Sequence, residues 1–418
     1  MVAGEGSVDR CLTDDEVRRI VRDGLAPLAI DGRRVLAIIP DGTRTMPVPM
    51  LFGVLQELLG DRVAALDYLV ALGTHPVLTD RQLTRLVGRP VVNGQVGRTR
   101  VLNHQWDVSS TFVTLGTIPS REIADLTCGL LAEDVDVSVN RLILDYDHLL
   151  ICGPVFPHEV AGFSGGNKYF FPGIGGSHII DATHWLGALV TSAAVIGRSR
   201  TPVRAVIDRA AGFIDRPTTS LSFVVTHEGV AGLYVGAVQP AWRAAADLSA
   251  RKHVVQVKAP FRRALAVMPE MYADLWTAAK GMYKLEPAVA DGGEVIIYAP
   301  HITEVSYTHG SILDEIGYHC CPFFLADWER FRSYPRAVLA HSTHVKGRGC
   351  YDAKRGIETP RINVTLATGI PRERCQRINL AYLDPASIRI EDWAGREQDG
   401  ELLVRRAGEM LYRLEQDD

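Results

Sequence analysis

An α/β fold of two domains with mostly parallel sheets follows from two observations. Short apolar runs alternate with helix-period stretches along nearly the whole chain, the pattern of buried strands joined by crossover helices. The 418 residues, 47% hydrophobic and 22% charged, are enough for two domains with a core each. A third observation concerns function. Strand ends run into "PDGTR", "GTHP", "GPVFPHE", "THEG", "PEMYAD", "APHITE" and "HSTHVKG". Open α/β sheets bind ligands at the carboxyl ends of their strands, so these loops point to a polar active site in a cleft between the domains.

The expected strands are "RVLAIIP" (34–40), "AALDYLVALG" (64–73), "HLLICGPV" (148–155), "LSFVVT" (221–226), "RALAVMP" (263–269), "GEVIIYAP" (293–300) and "RAVLAHS" (336–342). Each is a short apolar run of strand length. Helices are expected over 47–60, 80–88, 241–254 and 270–289, the first with prolines in its first turn, where a missing N–H is harmless. The segment "VKAPFRR" separates a helix from a new strand and sets a boundary. Residues 1–257 then form a catalytic and cofactor-binding domain, and 258–418 a C-terminal α/β domain that closes the cleft. Residues 395–418 read as a terminal helix able to pack back on the first domain.

Composition excludes several function classes. A formal net charge of −4 gives no basic surface for nucleic acid or anionic lipid. The first residues, "MVAGEGSVDRCLTDDEV", carry acidic groups and no apolar run, so no signal peptide is expected. No apolar stretch reaches the roughly 20 residues that span a bilayer, and the cytoplasm is the expected location. The seven cysteines are scattered, with no CxxC pair, which argues against both a disulfide framework and a zinc site.

Several motifs can carry chemistry. In "PDGTRTMP" (40–47), Asp41 and Thr43 are placed to cap a helix, and Arg44 offers a planar fork for a carboxylate or phosphate. A solvent-facing arginine beside an ordinary cap is the plainer alternative. In "ALGTHP" (71–76), His75 follows an apolar strand and a glycine; it can move protons near neutrality or simply bond nearby backbone. His104 in "NHQWD" reads more readily as structural. "PHEVAGFSGGNKYFFPG" (157–173) joins His158 to Lys168 through a flexible turn containing Gly165 and Gly166. That lysine can bind phosphate, form a Schiff base or carry a cofactor. The segment is not a Walker A sequence. His184 lies in an expected helix, as a metal ligand or as a half-buried helix histidine. Lys280 follows Thr277 and Trp276 by three and four positions, on one helix face near the "AVMPE" strand end.

Together these motifs resemble the lactate racemase family, the nickel-pincer-nucleotide-dependent 2-hydroxyacid racemases and epimerases, in order and length over almost the whole chain. The most specific part is "PHEVAGFSGGNKYFFPG" followed by His184, with "PDGTR" and "GTHP" upstream. The resemblance implies an isomerase that inverts C2 of a small 2-hydroxyacid by reversible hydride transfer to the cofactor. It implies His75 and His158 as the acid/base pair, Lys168 as the covalent tether and His184 as the nickel ligand. By the same resemblance Arg44, Lys280, Trp276 and Thr277 bind substrate, and Asp41, Thr43, Gly165 and Gly166 lie at the cofactor. The cofactor, nickel pyridinium-3,5-bisthiocarboxylic acid mononucleotide, is made by other proteins acting in trans. Departures from the lactate enzymes concern substrate: Thr45 follows the arginine directly, and Trp276-Thr277 precedes Lys280. These favour another hydroxyacid, with an aldonate-type sugar-acid 2-epimerase as the alternative, or an inactive cofactor-binding homologue. A nicotinamide dehydrogenase is disfavoured because no GxGxxG follows an early strand.

Overall fold

The computed structural model describes residues 2–415. The chain packs as two units. The first comprises Met1–Phe156, Phe163–Ile180 and Arg204–Lys252; the second comprises Pro157–Gly162, Asp181–Val203 and His253–Asp418. The expected division at 257/258 differs from these units, because Pro157–Gly162 and Asp181–Val203 group with the second. Such crossings lie within well-packed, apolar sequence and leave no compositional mark.

The first unit holds an eight-stranded sheet. Its order is Ala3–Gly6, Gly229–Gly236, Thr218–Thr226, His148–Pro154, Arg34–Ile39, Ala65–Val70, Thr99–Asn103 and Gln95–Val96. The five strands from Thr218–Thr226 to Thr99–Asn103 run parallel, and both edges are antiparallel. Val35 to Ile39 are wholly buried, as both faces of a parallel strand must be when helices cover them. The crossover helices carry their stop and start signals in the sequence. Thr13 and Thr79 each close a capping box, and Gly88 ends its helix in the left-handed region. After Arg34–Ile39 the chain builds outward through 65–70 and 99–103, then returns to place His148–Pro154 on the other side. The topological switch point therefore lies between strands Arg34–Ile39 and His148–Pro154, where open α/β sheets form their ligand crevice.

The second unit holds a parallel five-stranded sheet, ordered Ala381–Tyr382, Asn363–Thr368, Val289–Ala299, Phe261–Val267 and Glu401–Val404. Its switch point lies between Phe261–Val267 and Glu401–Val404. Leu265 and Ile296, in register, sit at the centre of its core.

Four expectations are corrected. "RAVLAHS" lies in the helix Arg336–Lys346, not a strand: Pro335 starts it, and its residues Ala337–Val345 are all buried. An apolar run buried on every side looks the same in either state. The expected helix over 270–289 is broken into single turns, Leu275–Ala278, Lys280–Tyr283 and the 3₁₀ turn Glu286–Ala288. Residues 395–415 form a 3₁₀ turn and two strands rather than a helix, with Gly400 and Gly408 in conformations that interrupt one. "THEG" is the tight connection between the antiparallel strands Thr218–Thr226 and Gly229–Gly236, not a site loop.

Truncating Ile296 to alanine should cost about 2–5 kcal/mol, through lost transfer energy and the cavity left behind. Urea unfolding should show a lower midpoint at unchanged slope. An unchanged midpoint would mean that this sheet centre is not close-packed.

Candidate active site

The polar face of the first unit is built at its switch point. Strand Arg34–Ile39 ends at Pro40, and the next residue, Asp41, is buried. Its Oδ1 accepts from the Thr43 hydroxyl (2.6 Å) and the Thr43 amide (3.1 Å). Its Oδ2 accepts from His75 Nδ1 at 2.5 Å. His75 arrives from the adjacent strand Ala65–Val70 through a turn in which its amide donates to Leu72 O and Gly73 takes φ +58°. Arg44 donates to the Thr43 hydroxyl at 2.5 Å, and its guanidinium lies 6.0 Å from the Phe156 ring. Burial alone would raise the Asp41 pKa. The charge and hydrogen bond of His75, then Arg44 and Thr43, hold it well below the usual carboxylate range. A carboxylate on Nδ1 fixes the ring orientation and leaves Nε2 as the proton-exchanging atom.

The Gly-Gly loop of the same unit is pinned by its packing neighbours. Gly165 and Gly166 take φ +77° and +57°; a Cβ on Gly165 would stand 2.6 Å from Val155 and one on Gly166 3.0 Å from the Trp242 ring. The Trp242 indole donates to Ser164 O at 2.8 Å. Arg204 lies 4.3 Å from the Trp242 ring and donates to the carbonyls of Phe163 and Gly165. Burial pushes this guanidinium down to about 10, with Asp208 opposing, so it stays charged at neutral pH. Asn167 donates to Asp208 at 3.0 Å. Lys168 is half-buried in the 3₁₀ turn Gly166–Tyr169, on a backbone held at both ends. Tyr169 crosses Gly153, where a Cβ would fall 1.8 Å from its hydroxyl. The glycines thus serve packing against Trp242 and Val155 as well as the loop's conformation.

The remaining expected residues belong to the second unit. His158 is buried in the short strand Pro157–His158. Its Nδ1 accepts from the Val160 amide at 3.1 Å and also lies 3.3 Å from Glu159 Oε2. His184 is half-buried on the helix Ser177–Val190, whose next residue, Trp185, stacks on Trp328. Trp276 and Lys280 sit just after strand Phe261–Val267, at the switch point. Lys280 is buried with its Nζ 4.3 Å from the Tyr272 ring, and Gly408 leaves room for both side chains. The Thr277 hydroxyl donates to the Asp274 carboxylate at 2.7 Å, and the Thr277 amide does so at 3.0 Å. Asp274 is thereby the N-cap of the turn Leu275–Ala278, and Thr277 is spent on bonding that cap.

Sequence reasoning did not single out the groups around Trp276. The indole stacks on His341 at 3.9 Å and meets His309 at 4.7 Å. Burial, then the neighbouring imidazoles of His344, His309 and His184, hold His341 well below the usual histidine range. The density of histidines in "HITEVSYTHG" and "HSTHVKG" was the available signal, but a strand reading of 336–342 misplaced the second. Arg204 and Trp242 carried no motif at all. His104 is structural: it is fully buried against Phe112, its Nδ1 meets the Asn140 amide at 3.1 Å, and burial pushes it down to about 4.

Residues 15–197 match the family model of the lactate racemase N-terminal domain. A lactate racemase from Lactiplantibacillus plantarum is 25% identical over 300 residues, 66% of this chain and 62% of that protein. Another, from Thermoanaerobacterium thermosaccharolyticum, is 27% identical over 164 residues, 38% of this chain and 34% of that one. The matched region spans less than two thirds of either curated relative. A crystal structure of a protein from Thermotoga maritima superposes with a TM-score of 0.90 at 30% identity, covering 98% of this chain and 100% of that one. The lactate racemase apoprotein from T. thermosaccharolyticum shares the fold, with a TM-score of 0.71 at 18% identity over 95% and 92% of the two chains. By its motifs, its matched N-terminal region and its fold, the chain belongs to the lactate racemase family.

Proposed function

We propose that the protein is a racemase or epimerase that inverts C2 of a 2-hydroxyacid, using His75 and His158 as acid and base. The observation that supports this best is the bond between buried Asp41 and half-buried His75 at the carboxyl ends of two adjacent strands, with Arg44 bonded into the same loop. Asp41 keeps the His75 Nδ1–H in place, so Nε2 takes the hydroxyl proton and the resulting imidazolium is neutralised where it forms. Glu159 has the corresponding role at His158. When its carboxylate holds the Nδ1 proton, Nε2 can give or take; when the Val160 amide holds Nδ1, the neutral ring keeps its proton on Nε2. Either protonation state of His158 therefore has a partner. Arg44 and Lys280 supply the cationic groups for the substrate carboxylate, the pivot about which the carbonyl of a 2-oxoacid can turn.

The residues fit the family's nickel-pincer nucleotide. Among the described residues no three His, Cys, Asp or Glu side chains gather to hold a metal. A single imidazole, His184, suits a metal that brings its other donors with it. Lys168, on a firmly held turn, would be the amine that tethers the group. When bound, the nucleotide supplies a reversible hydride acceptor, which avoids abstracting a weakly acidic C–H as a proton.

An aldonate-type substrate is the second reading. Trp276 offers an aromatic face, and His309 and His341 beside it offer hydrogen-bonding groups beyond a carboxylate clamp. A short aliphatic acid would leave these unused.

Protein produced together with the cofactor-synthesis proteins should carry about one nickel per chain. His184→Ala should lose the metal, and Lys168→Ala should lose the covalent mass increment in intact-mass spectra. Nickel retained at full occupancy in His184→Ala would remove that residue as ligand.

The loaded enzyme should interconvert enantiomers or epimers within a panel of short-chain, aromatic, dicarboxylic and sugar 2-hydroxyacids, read by chiral chromatography. A C2-deuterium label should be retained. Loss of the label to solvent would indicate proton abstraction at carbon, and no turnover across the panel would favour an inactive homologue.

His75→Ala and His158→Ala should each lower the rate by about 10²–10⁴-fold. Asp41→Asn, which mispairs the His75 ring, should lower it by about 100-fold or more with little change in nickel content. A normal rate in Asp41→Asn would separate that carboxylate from the chemistry.

A further inference from the structure

The wall formed by Trp276 and His309 is tied, through a continuous series of bonds within the second unit, to a guanidinium that the chemistry above does not use. Trp276 is half-buried, and its indole meets the buried His309 ring at 4.7 Å. Neither residue belongs to a long helix. Trp276 lies in the single turn Leu275–Ala278, and His309 ends the loop before the helix Gly310–Ile316. A single turn is not stable alone, so tertiary bonds must set the pairing of the two rings. Backbone bonds supply part of this: the Leu275 amide donates to Glu304 O at 3.0 Å, and the Trp276 amide to Val305 O at 2.9 Å. Residues 304 and 305 thus run alongside the turn that carries the indole.

Glu304 is where side-chain chemistry takes hold. Its Oε1 accepts from the Val305 amide at 2.7 Å and from Arg374 Nη2 at 2.6 Å. Arg374 Nε and Nη2 also grip the two oxygens of Asp314, at 3.0 and 3.1 Å. The arginine comes from the helix Arg372–Arg377, and Asp314 from the helix Gly310–Ile316. One guanidinium therefore fastens both the loop and the helix that flank His309. Gly310, the residue after His309, passes against this ion pair: a Cβ there would stand 3.2 Å from Glu304 Oε1 and 3.4 Å from Arg374 Nη2. Ser306 Oγ completes the loop by accepting from the His309 amide at 3.1 Å.

Isolated surface ion pairs contribute little, but networks with bidentate geometry are the exception. Here the fork engages two carboxylates, one of them bidentately, and the Arg374 side chain is only 19% exposed. The hydrogen bond from Arg374 holds Glu304 below the usual carboxylate range, so the pair stays charged at neutral pH. Arg377 offers an internal comparison. It bonds the same Asp314 at 3.3 Å from an exposed position, and among the described residues Asp314 is its only ionic partner.

We propose that Arg374 is a positioning residue for substrate binding: through Glu304 it holds His309 on the Trp276 indole, and this wall receives the part of the 2-hydroxyacid beyond C2. The proposal rests on the racemase reading for the substrate, but not for the linkage itself. Arg374 acts through Glu304 rather than on the substrate. Its loss should leave the chemistry intact and loosen the grip on substrate, the pattern of a contact made equally in the ground and transition states.

Two readouts test this on the full-length protein, loaded by production together with the cofactor-synthesis proteins. In the first, modification by diethyl pyrocarbonate is followed residue by residue through peptide masses. His309 should react about tenfold faster in Arg374→Ala than in the wild type, as groups in a locally opened segment do, and at the wild-type rate in Arg377→Ala. In the second, the best substrate of the hydroxyacid panel should show a KM raised about tenfold in Arg374→Ala, with kcat within about threefold and nickel content unchanged. Arg374→Lys, which keeps the charge but not the planar fork, should fall between the two. Glu304→Gln keeps an acceptor for the Val305 amide but no charge for Arg374. It should repeat the alanine result, and it decides the matter if Arg374→Ala does not fold. Unchanged His309 reactivity in both variants would overturn the proposal. So would equal effects in Arg377→Ala, or a fall in kcat and nickel content at constant KM. If the wild type turns over no hydroxyacid, the racemase reading fails instead, and His309 reactivity alone decides whether Arg374 holds the wall.

Discussion

A buried carboxylate next to an imidazole organises the polar face of the first unit. Burying Asp41 carries a desolvation penalty of several kcal/mol, which only close, well-directed partners can offset. Thr43, His75 and Arg44 provide them: Thr43 and His75 bond the carboxylate, and Arg44 bonds Thr43 while adding its charge. The same partners are thereby held in place. His75 is oriented through Nδ1 and Arg44 through the Thr43 hydroxyl, so one buried charge aligns an imidazole and a guanidinium together. This works because two neighbouring parallel strands, Arg34–Ile39 and Ala65–Val70, end at the same level.

A comparable economy holds the Gly-Gly loop. Its flexibility in sequence is misleading, because Arg204, Trp242 and Asp208 fasten successive backbone and side-chain groups of residues 163–167. The half-buried Lys168 thereby rests on a backbone that does not drift, because a charged, buried guanidinium bonded to carbonyls supplies rigidity just before it. In the second unit the helix Arg336–Lys346 has two tasks. His341 stacks on Trp276, while His344, one turn on, lines a cavity at the helix end.

Much of the fold was legible because parallel strands and crossover helices leave strong local marks. Apolar runs at 34–40, 64–73, 148–155 and 293–300 were readable and lie on strands, and the helix expected over 80–88 is Asp80–Val87. Failures came where local pattern is ambiguous. A fully buried helix and a buried strand share the composition of "RAVLAHS", and the glycines at 400 and 408 interrupt a terminal segment whose composition suits a helix. Of the candidate site, the motif residues were legible as residue types. Their pairings were not, because Asp41 meets His75 across 34 positions of sequence and Arg204 meets Gly165 across 39.

By itself, the sequence determined the α/β class, the family and the identity of the chemical groups: two histidines, a lysine after glycines, and an arginine at a strand end. These are properties of composition, period and short motifs, which act within a few residues. Tertiary structure decided which groups hold one another. It set the Nδ1 partner of each histidine, turned the Thr277 hydroxyl inward to a cap, buried His104 as a structural ring and gathered His309 and His341 around Trp276. The physical reason is range: hydrogen-bond direction and desolvation depend on atoms brought together from distant strands, and no local pattern in the chain records them.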